Sequence, residues 1–453
     1  MADEFENALA RVMFRQAGSE GGAANRAESE QAVVAGCHRL SGGASMESWA
    51  FDYAGEGYIL RRAADAALMA GRPFGHATEA ALVQAAHGAG VTAPEVMAVL
   101  TAEDGLGSGY IMRRIGGTAE PGTILRTADD VLIADIAREL AAIHAVPVDA
   151  VPPIDAPTPR ELLDRLHEQF DGFGADRPII ALALKWCEDN LPPPRQPSLV
   201  HGDFRMGNLM VEDGRLSGVL DWELAHLGDP HEDIAWGCVG AWRFGNYDQP
   251  AFGIATLEAY FAAYESASGM AVDRARFRYW LVHRTIWWAL GCMQMGAIWR
   301  EGSDRSLERA AIARRTVENE IDLLLLLDES DDAPVAVPEP TAVPQAGETS
   351  SAELLDAVGE WIAADVKPTA QGRNRFLSAV AINALKIAAR DLRDPAPMTA
   401  PMTDAALCTD IRSGRTTLDT SGLRATLRLK ALRKGMNDVP KYAGLAAAKE
   451  KWT

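Results

Sequence analysis

The stretch SLVHGDFRMGNLMVEDGRLSGVLDWELAHLGDP, residues 198 to 230, decides how this chain is read. Two short apolar runs, Ser198 to Val200 and Ser217 to Leu220, each lead into a charged cluster. Asp203, Asn208 and Asp221 then stand where the tips of β-hairpins are expected. Desolvating a charge is costly, so acids and an amide at the ends of buried strands require a chemical reason. Alone, each Asp would pass as a turn former or N-cap. Together, H-G-D-x-x-x-x-N and, thirteen residues after the Asn, an Asp-Trp-Glu behind an apolar residue mark a site.

Phosphoryl transfer accounts for these residue types. It needs a carboxylate at the acceptor hydroxyl and oxygen ligands that hold Mg²⁺ against nucleotide phosphates. In that reading Asp203 orients and deprotonates the hydroxyl, Asn208 lends a neutral oxygen to the metal, and Asp221 bridges metal and phosphates. His201 is poorly placed as a base and is expected to hold the loop by hydrogen bonds.

Composition narrows the setting. The chain has 453 residues, too many for one typical core, with 48% apolar and 24% charged residues, an ordinary globular mixture. A net charge of −19 argues against a general nucleic-acid binder, because phosphate backbones need basic surface. The charge is uneven: Gln371 to Thr453 holds 15 Lys+Arg against 7 Asp+Glu, a net +8 that leaves −27 elsewhere. That tail is either a plain basic helical module or one that docks on acidic surface. Five scattered cysteines without a C-x-x-C point to a reducing compartment rather than a disulfide frame or structural zinc. The N-terminus lacks a signal-peptide apolar region, and the longest apolar run, Thr285 to Trp299, is 15 residues, too short to span a bilayer. A soluble, cytoplasmic protein with no membrane partner is expected.

Outward from the opening stretch, the pattern divides the chain. Residues 1–36 read as a helical extension around a Gly/Ala/Ser-rich break. Residues 37–115 are β-rich, with Trp49 to Tyr53 and Tyr58 to Arg61 as a hairpin, a helix over Ala77 to His87, and strands at Val96 to Thr101 and Tyr110 to Ile115. Residues 116–328 are mostly helical, interrupted by LPPPRQP (Leu191 to Pro197) and an inserted pair of hairpins. Within them, Phe252 to Ser268, Asp273 to Arg300 and Leu307 to Asp328 read as single helices. The acidic, proline-rich residues 329–349 read as a solvated linker. Residues 350–453 form a helical domain: Ser350 and Glu353 make a capping box, and helices follow at Gly372 to Arg393 and Gly422 to Lys434. Without that domain, a chain ending near Gln345 is expected to fold and turn over.

Over about residues 37–325 the chain resembles the aminoglycoside phosphotransferase/choline kinase-like family. The likeness is carried by RLSGGASMESWAFDY, YILRR, VTAPEVMAV, YIMRRIGG, LVHGDFRMGNLM and GVLDWELAHLGDPHEDIAW. It implies an α+β, two-lobe protein-kinase-like fold, here followed by a separate small all-α domain. It also implies ATP and Mg²⁺ as cofactors. Ser41, Gly42 and Gly43 fall in the family's nucleotide loop, although SGGAS lacks the G-x-G-x-x-G of protein kinases. Arg61 stands where a phosphate-binding Lys is usual, and Glu79 on the next helix is suited to fix it, with a surface ion pair as the alternative. Met112, Arg113 and Arg114 are expected at adenine through backbone groups. Asp233 corresponds to an acid supporting the catalytic loop, or else is an exposed helix acid. Glu223, Trp287, Trp288 and Met295 fall where the family closes its acceptor pocket, although aromatics at helical spacing also suit a core.

DWELAHLGDP and YILRRA are nearest the branch associated with acyl-CoA dehydrogenases. That implies a hydroxyacyl-CoA-type catabolic intermediate as the small-molecule hydroxyl substrate, and an acyl-CoA dehydrogenase as a possible partner. The tail resembles an uncharacterised helical domain that accompanies these kinases. Two alternatives stand beside this reading: an aminoglycoside or other antibiotic phosphotransferase, and an ATP-binding pseudokinase scaffold that recruits a partner through its C-terminal domain.

Overall fold

The computed structural model describes residues 2–20, 33–40, 46–65, 69, 71–330, 334–337, 347–393 and 402–453. The fold is α+β: an N-lobe built on an antiparallel sheet, a large helical C-lobe, and a C-terminal all-α segment. The chain falls into two compact units. The first comprises Met1–Pro157, Pro194–Cys238 and Gln249–Asp273, and the second Thr158–Pro193, Val239–Asp248 and Arg274–Thr453.

In the first unit, strands β1 (Ala35–Arg39), β2 (Glu47–Tyr53), β3 (Glu56–Ala63), β4 (Val96–Val99) and β5 (Ser108–Arg113) form a sheet of order β1-β2-β3-β5-β4. Every neighbouring pair is antiparallel. The β2–β3 turn places Ala54 and Gly55 at φ of 51° and 82°, the left-handed pair that a two-residue hairpin requires. Phe51, Leu60 and Ile111 point to one face of the sheet and are buried there with Leu9, Val12 and Met13 of the helix Ala2–Glu20. Arg15 of that helix forks onto Asp104 at 2.6 and 3.0 Å. Thus the N-terminal helix belongs to the N-lobe core.

The remaining strands of this unit are β6 (Ser198–Val200), β7 (Leu209–Glu212), β8 (Arg215–Val219) and β9 (His226–Gly228). Only β7 and β8 form a hairpin, closed by Asp213 and Gly214 at φ of 50° and 76°. β6 pairs with β9, Leu199 opposite Leu227, so the expected second hairpin is absent. The reason is Gly202, whose φ of 79° turns the chain away after β6. A Cβ there would lie 2.3 Å from the Leu224 carbonyl oxygen, a space only glycine leaves open.

In the second unit the helix Arg274–Glu301 buries Trp280, Leu281, Ile286 and Leu290. The span expected as one helix from Leu307 is two, Leu307–Ala313 and Thr316–Leu327. At the break, Arg314 and Arg315 N–H turn to the i−3 carbonyls of Ala311 and Ile312. Ser350 and Glu353 form the expected capping box. Two further helices, Asp404–Arg412 and Ala443–Trp452, lie in stretches whose apolar period is too weak to announce them. The C-terminal helices pack onto Thr316–Leu327: Ile321, Leu427, Leu432, Leu445 and Trp452 are all buried. Arg428 and Asp328, both buried, pair at 2.7 Å. Among the described residues, no helix is long and apolar enough to cross a membrane, and all five cysteines are free.

Candidate active site

The short strand β6 delivers His201, Gly202 and Asp203 into a loop that closes on β7. Asp203 Oδ1 accepts from the Trp236 indole N–H at 2.7 Å and from Arg205 Nε at 2.9 Å. Its Oδ2 accepts from Asn208 Nδ2 at 2.6 Å. Asn208 also bonds the Asp203 carbonyl, at 3.0 Å, so one amide clamps the loop at both ends.

His201 is fully buried. Its Nε2 faces the Leu220 carbonyl at 3.1 Å, so the proton sits there, and Nδ1 accepts the Asp203 N–H at 3.2 Å. Burial lowers its pKa, against the pull of Asp233, Asp203 and Asp221. With both ring nitrogens engaged in the loop, His201 has no lone pair for an acceptor hydroxyl.

Beneath the loop, Asp233 accepts the backbone N–H of His201 at 2.6 Å and of Gly202 at 2.9 Å. His144 Nε2 lies 3.3 Å from it and Nδ1 lies 2.7 Å from the Tyr264 hydroxyl. Burial opposes ionisation of Asp233, but the His144 and backbone bonds prevail and lower its pKa to about 2. The exposed-acid alternative for Asp233 therefore fails: the side chain is buried under the loop.

Asp221 follows β8 and adopts a φ of 68°, a left-handed conformation uncommon outside glycine. The Leu220 N–H bonds the Asn208 carbonyl at 2.8 Å, which ties the two candidate metal ligands together through adjacent strand ends. One carboxylate and one amide oxygen suit a hard cation that takes its other ligands from phosphates and water. The cation beside Asp221 in this structure is Arg61, whose Nη2 donates to Asp221 Oδ1 at 2.6 Å and to Glu223 Oε2 at 2.5 Å. Arg61 Nε lies 3.1 Å from Glu79 Oε1, so the pairing expected between β3 and the helix His76–Gly88 is present and buried. Burial pushes the Glu79 carboxyl up, Arg61 pulls it down and Asp221 and Glu223 push again, leaving it at about 7. Among the described residues no group of three His, Cys, Asp or Glu side chains is arranged for a metal.

A cavity of about 600 Å³ opens beside these groups, within the range of small-ligand sites. Ile59, Val83, Met210 and Leu220 supply apolar wall, and Arg61, Asn208 and Asp221 the polar end. Met112, Arg113 and Arg114 line it as well. However, the N–H groups of Arg113 and Arg114 are spent on the carbonyls of Glu95 and Gly57, at 2.8 and 2.9 Å. Ser41, Gly42 and Gly43 lie outside the described residues. Trp287, Trp288 and Met295 belong to the other compact unit. There Trp288 packs on Trp242 at 5.0 Å between centroids and Met295 Sδ accepts from Arg309 at 2.6 Å.

Sequence reading passed over Trp236, Arg205 and Arg72. Trp236 closes the quoted HEDIAW motif, but nothing local says that its N–H reaches back 33 residues. Arg72 donates to Glu223 Oε2 at 2.5 Å from a loop without a recognisable pattern.

Residues 36–274 match the model of the phosphotransferase enzyme family. The chain belongs to this family. By fold and family it is an ATP-dependent phosphotransferase. Residues 368–442 match a domain of unknown function. A solved structure described as a putative aminoglycoside phosphotransferase from Ralstonia eutropha JMP134 shares the fold. It has a TM-score of 0.55 and 21% identity, over 69% of this chain and 95% of that one. Curated relatives match locally. Acyl-CoA dehydrogenase family member 10 of Mus musculus is 37% identical over 98 residues, 19% of this chain and 9% of its own length. Probable acyl-CoA dehydrogenase IBR3 of Arabidopsis thaliana is 30% identical over 119 residues, 23% of this chain and 14% of its own length. The match thus spans between 9% and 14% of the length of these relatives.

Proposed function

We propose that this phosphotransferase acts in the cytoplasm and moves the γ-phosphoryl group of Mg·ATP to a hydroxyl of a small molecule, with Asp203 as base. The observation that carries this reading is the state of the Asp203 carboxylate. Trp236 and Arg205 occupy Oδ1, whereas Oδ2 receives only Asn208 among the described residues. A carboxylate oxygen accepts two bonds, so Oδ2 keeps a lone pair for the acceptor hydroxyl. The hydroxyl oxygen forms the new P–O bond, the bond to the ADP bridging oxygen breaks, and the proton passes to Asp203 Oδ2. Asn208 and Asp221 would hold Mg²⁺, which would supply charge neutralisation for the nucleotide phosphates. Arg61 exchanges its carboxylate partners for a phosphate and stays anchored by Glu79. In the YIMRRIGG segment the Ile115 N–H, for which no partner is found among the described residues, is the backbone donor offered to adenine beside Met112 to Arg114.

Two acceptors divide the reading. An antibiotic amino sugar has the wider support, because the solved neighbour described as a putative aminoglycoside phosphotransferase is matched over 95% of its chain. A hydroxyacyl-CoA, together with an acyl-CoA dehydrogenase as partner, rests on the shorter matches to relatives bearing that name. An ADP-release assay over amino sugars and hydroxyacyl-CoAs tests both. Turnover of neither class, nor of any other small alcohol, would end the kinase reading in favour of an idle scaffold.

A further inference from the structure

The C-terminal helices contribute a second cavity, of about 670 Å³, with the C-lobe helices of the same compact unit. Its walls come from Leu307–Ala313 and Thr316–Leu327 on one side, and from Gly372–Arg393 and the Asp438–Tyr442 turn on the other. Ile312, Val380, Ile387 and Val439 make part of the lining apolar.

Its charges are unusual for a chain of net −19. Five cations line it against three acids, and each acid already has a partner. Glu308 takes Arg373 at 2.8 Å, Glu318 takes Arg315 at 2.8 Å, and Asp438 takes Arg314 at 2.5 Å and Lys434 at 2.9 Å. Lys386 and Lys441 make no ion pair among the described residues. Arg390 donates Nε to the Asn437 carbonyl at 2.6 Å, while its Nη2 is buried without a partner. Burial depresses the Arg390 guanidinium, and the neighbouring Arg314 adds to this against the pull of Asp438 and Asp391. A guanidinium left short of negative charge, beside two unpaired ammonium groups, is an anion site in want of its anion.

We propose that this cavity binds an organic anion bearing a short apolar chain, its charge on Lys386, Arg390 and Lys441 and its chain on Ile312, Val380, Ile387 and Val439. The site is separate from the nucleotide cavity and does not depend on phosphoryl transfer. A fatty carboxylate and an acyl thioester of a phosphorylated carrier share this chemistry.

The test is calorimetric titration of the full chain with its nucleotide cavity saturated by AMP-PNP. The probes are octanoate, octanoyl-CoA, octanol and inorganic phosphate. Octanoate, octanoyl-CoA or both bind, at least about tenfold more tightly than octanol or phosphate, because both the charge and the chain are used. Which of the two binds identifies the source. The double substitution Lys386→Glu and Lys441→Glu, at exposed positions, weakens that binding about tenfold or more and leaves AMP-PNP affinity unchanged. The proposal fails if neither acyl probe binds, if phosphate or octanol binds as tightly, or if the double variant binds like the original.

Discussion

The indole N–H of Trp236 donates to Asp203 Oδ1 at 2.7 Å. This bond and the one from Arg205 commit one carboxylate oxygen, and so aim the other at the acceptor. Trp236→Phe keeps the ring and removes the donor. We expect kcat to fall about tenfold with AMP-PNP affinity unchanged, whereas Asp203→Asn lowers kcat by roughly 10³ or more. Steady-state kinetics and a nucleotide titration separate the effects; equal loss of nucleotide affinity would place Trp236 in general packing.

Arg61 neutralises Asp221, Glu223 and Glu79 at once. Arg61→Ala is therefore expected to weaken AMP-PNP binding at least about tenfold and to lower Tm, since three carboxylates then face one another. Glu79→Gln is milder, because the amide oxygen still accepts from Arg61, which keeps Asp221 and Glu223 as charged partners. If Arg61→Ala binds nucleotide normally, the phosphate contact is wrong.

Asp221 carries the candidate metal site with Asn208. Asp221→Asn should reduce the affinity for Mg·AMP-PNP about tenfold or more, and reduce far less the affinity for the metal-free nucleotide. Titrations with and without Mg²⁺ read the difference, and an equal loss in both would remove Asp221 from the metal.

Asp322 is buried against the hydroxyls of Tyr442, at 2.5 Å, and Tyr247, at 3.4 Å. Burial pushes its carboxyl up to about 7 against the two phenol bonds. The folded chain thus keeps a proton that the unfolded chain releases near pH 4. The stabilisation is complete below that pH and is lost as pH rises through about 7. Tm should fall between pH 5 and 8, and Asp322→Asn should flatten that slope. An unchanged slope in the variant assigns the pH dependence elsewhere.

Truncation near Gln345 has a different expected outcome from the one the linker suggested. The buried Arg428–Asp328 pair at 2.7 Å and the buried Leu427, Leu432 and Trp452 join the C-terminal helices to the C-lobe. Truncation is therefore expected to yield an unstable or aggregating product, and Arg428→Met alone to cost about 2 kcal/mol, since Asp328 loses one charged partner but keeps Arg424 at 3.0 Å. Urea unfolding measures it; a truncated chain with the original Tm would restore the independent-domain reading.

What the sequence determined by itself is the part set by local spacing. The positions of Asp203, Asn208 and Asp221, the capping box at Ser350 and the basic tail all follow from residues a few places apart, while the two-lobe fold came from the family resemblance those motifs carry. Tertiary structure alone decided which distant partner each charge met. It set Trp236 on Asp203, gave Arg61 three carboxylates, paired β6 with β9 and spent the Arg113 and Arg114 N–H groups on the sheet. It also left Lys386 without an ion pair among the described residues, and Arg390 Nη2 without a partner, at a cavity that no motif marks. The physical reason is that burial raises the worth of every charge and hydrogen bond, and burial depends on the packed chain, not on the neighbours in sequence.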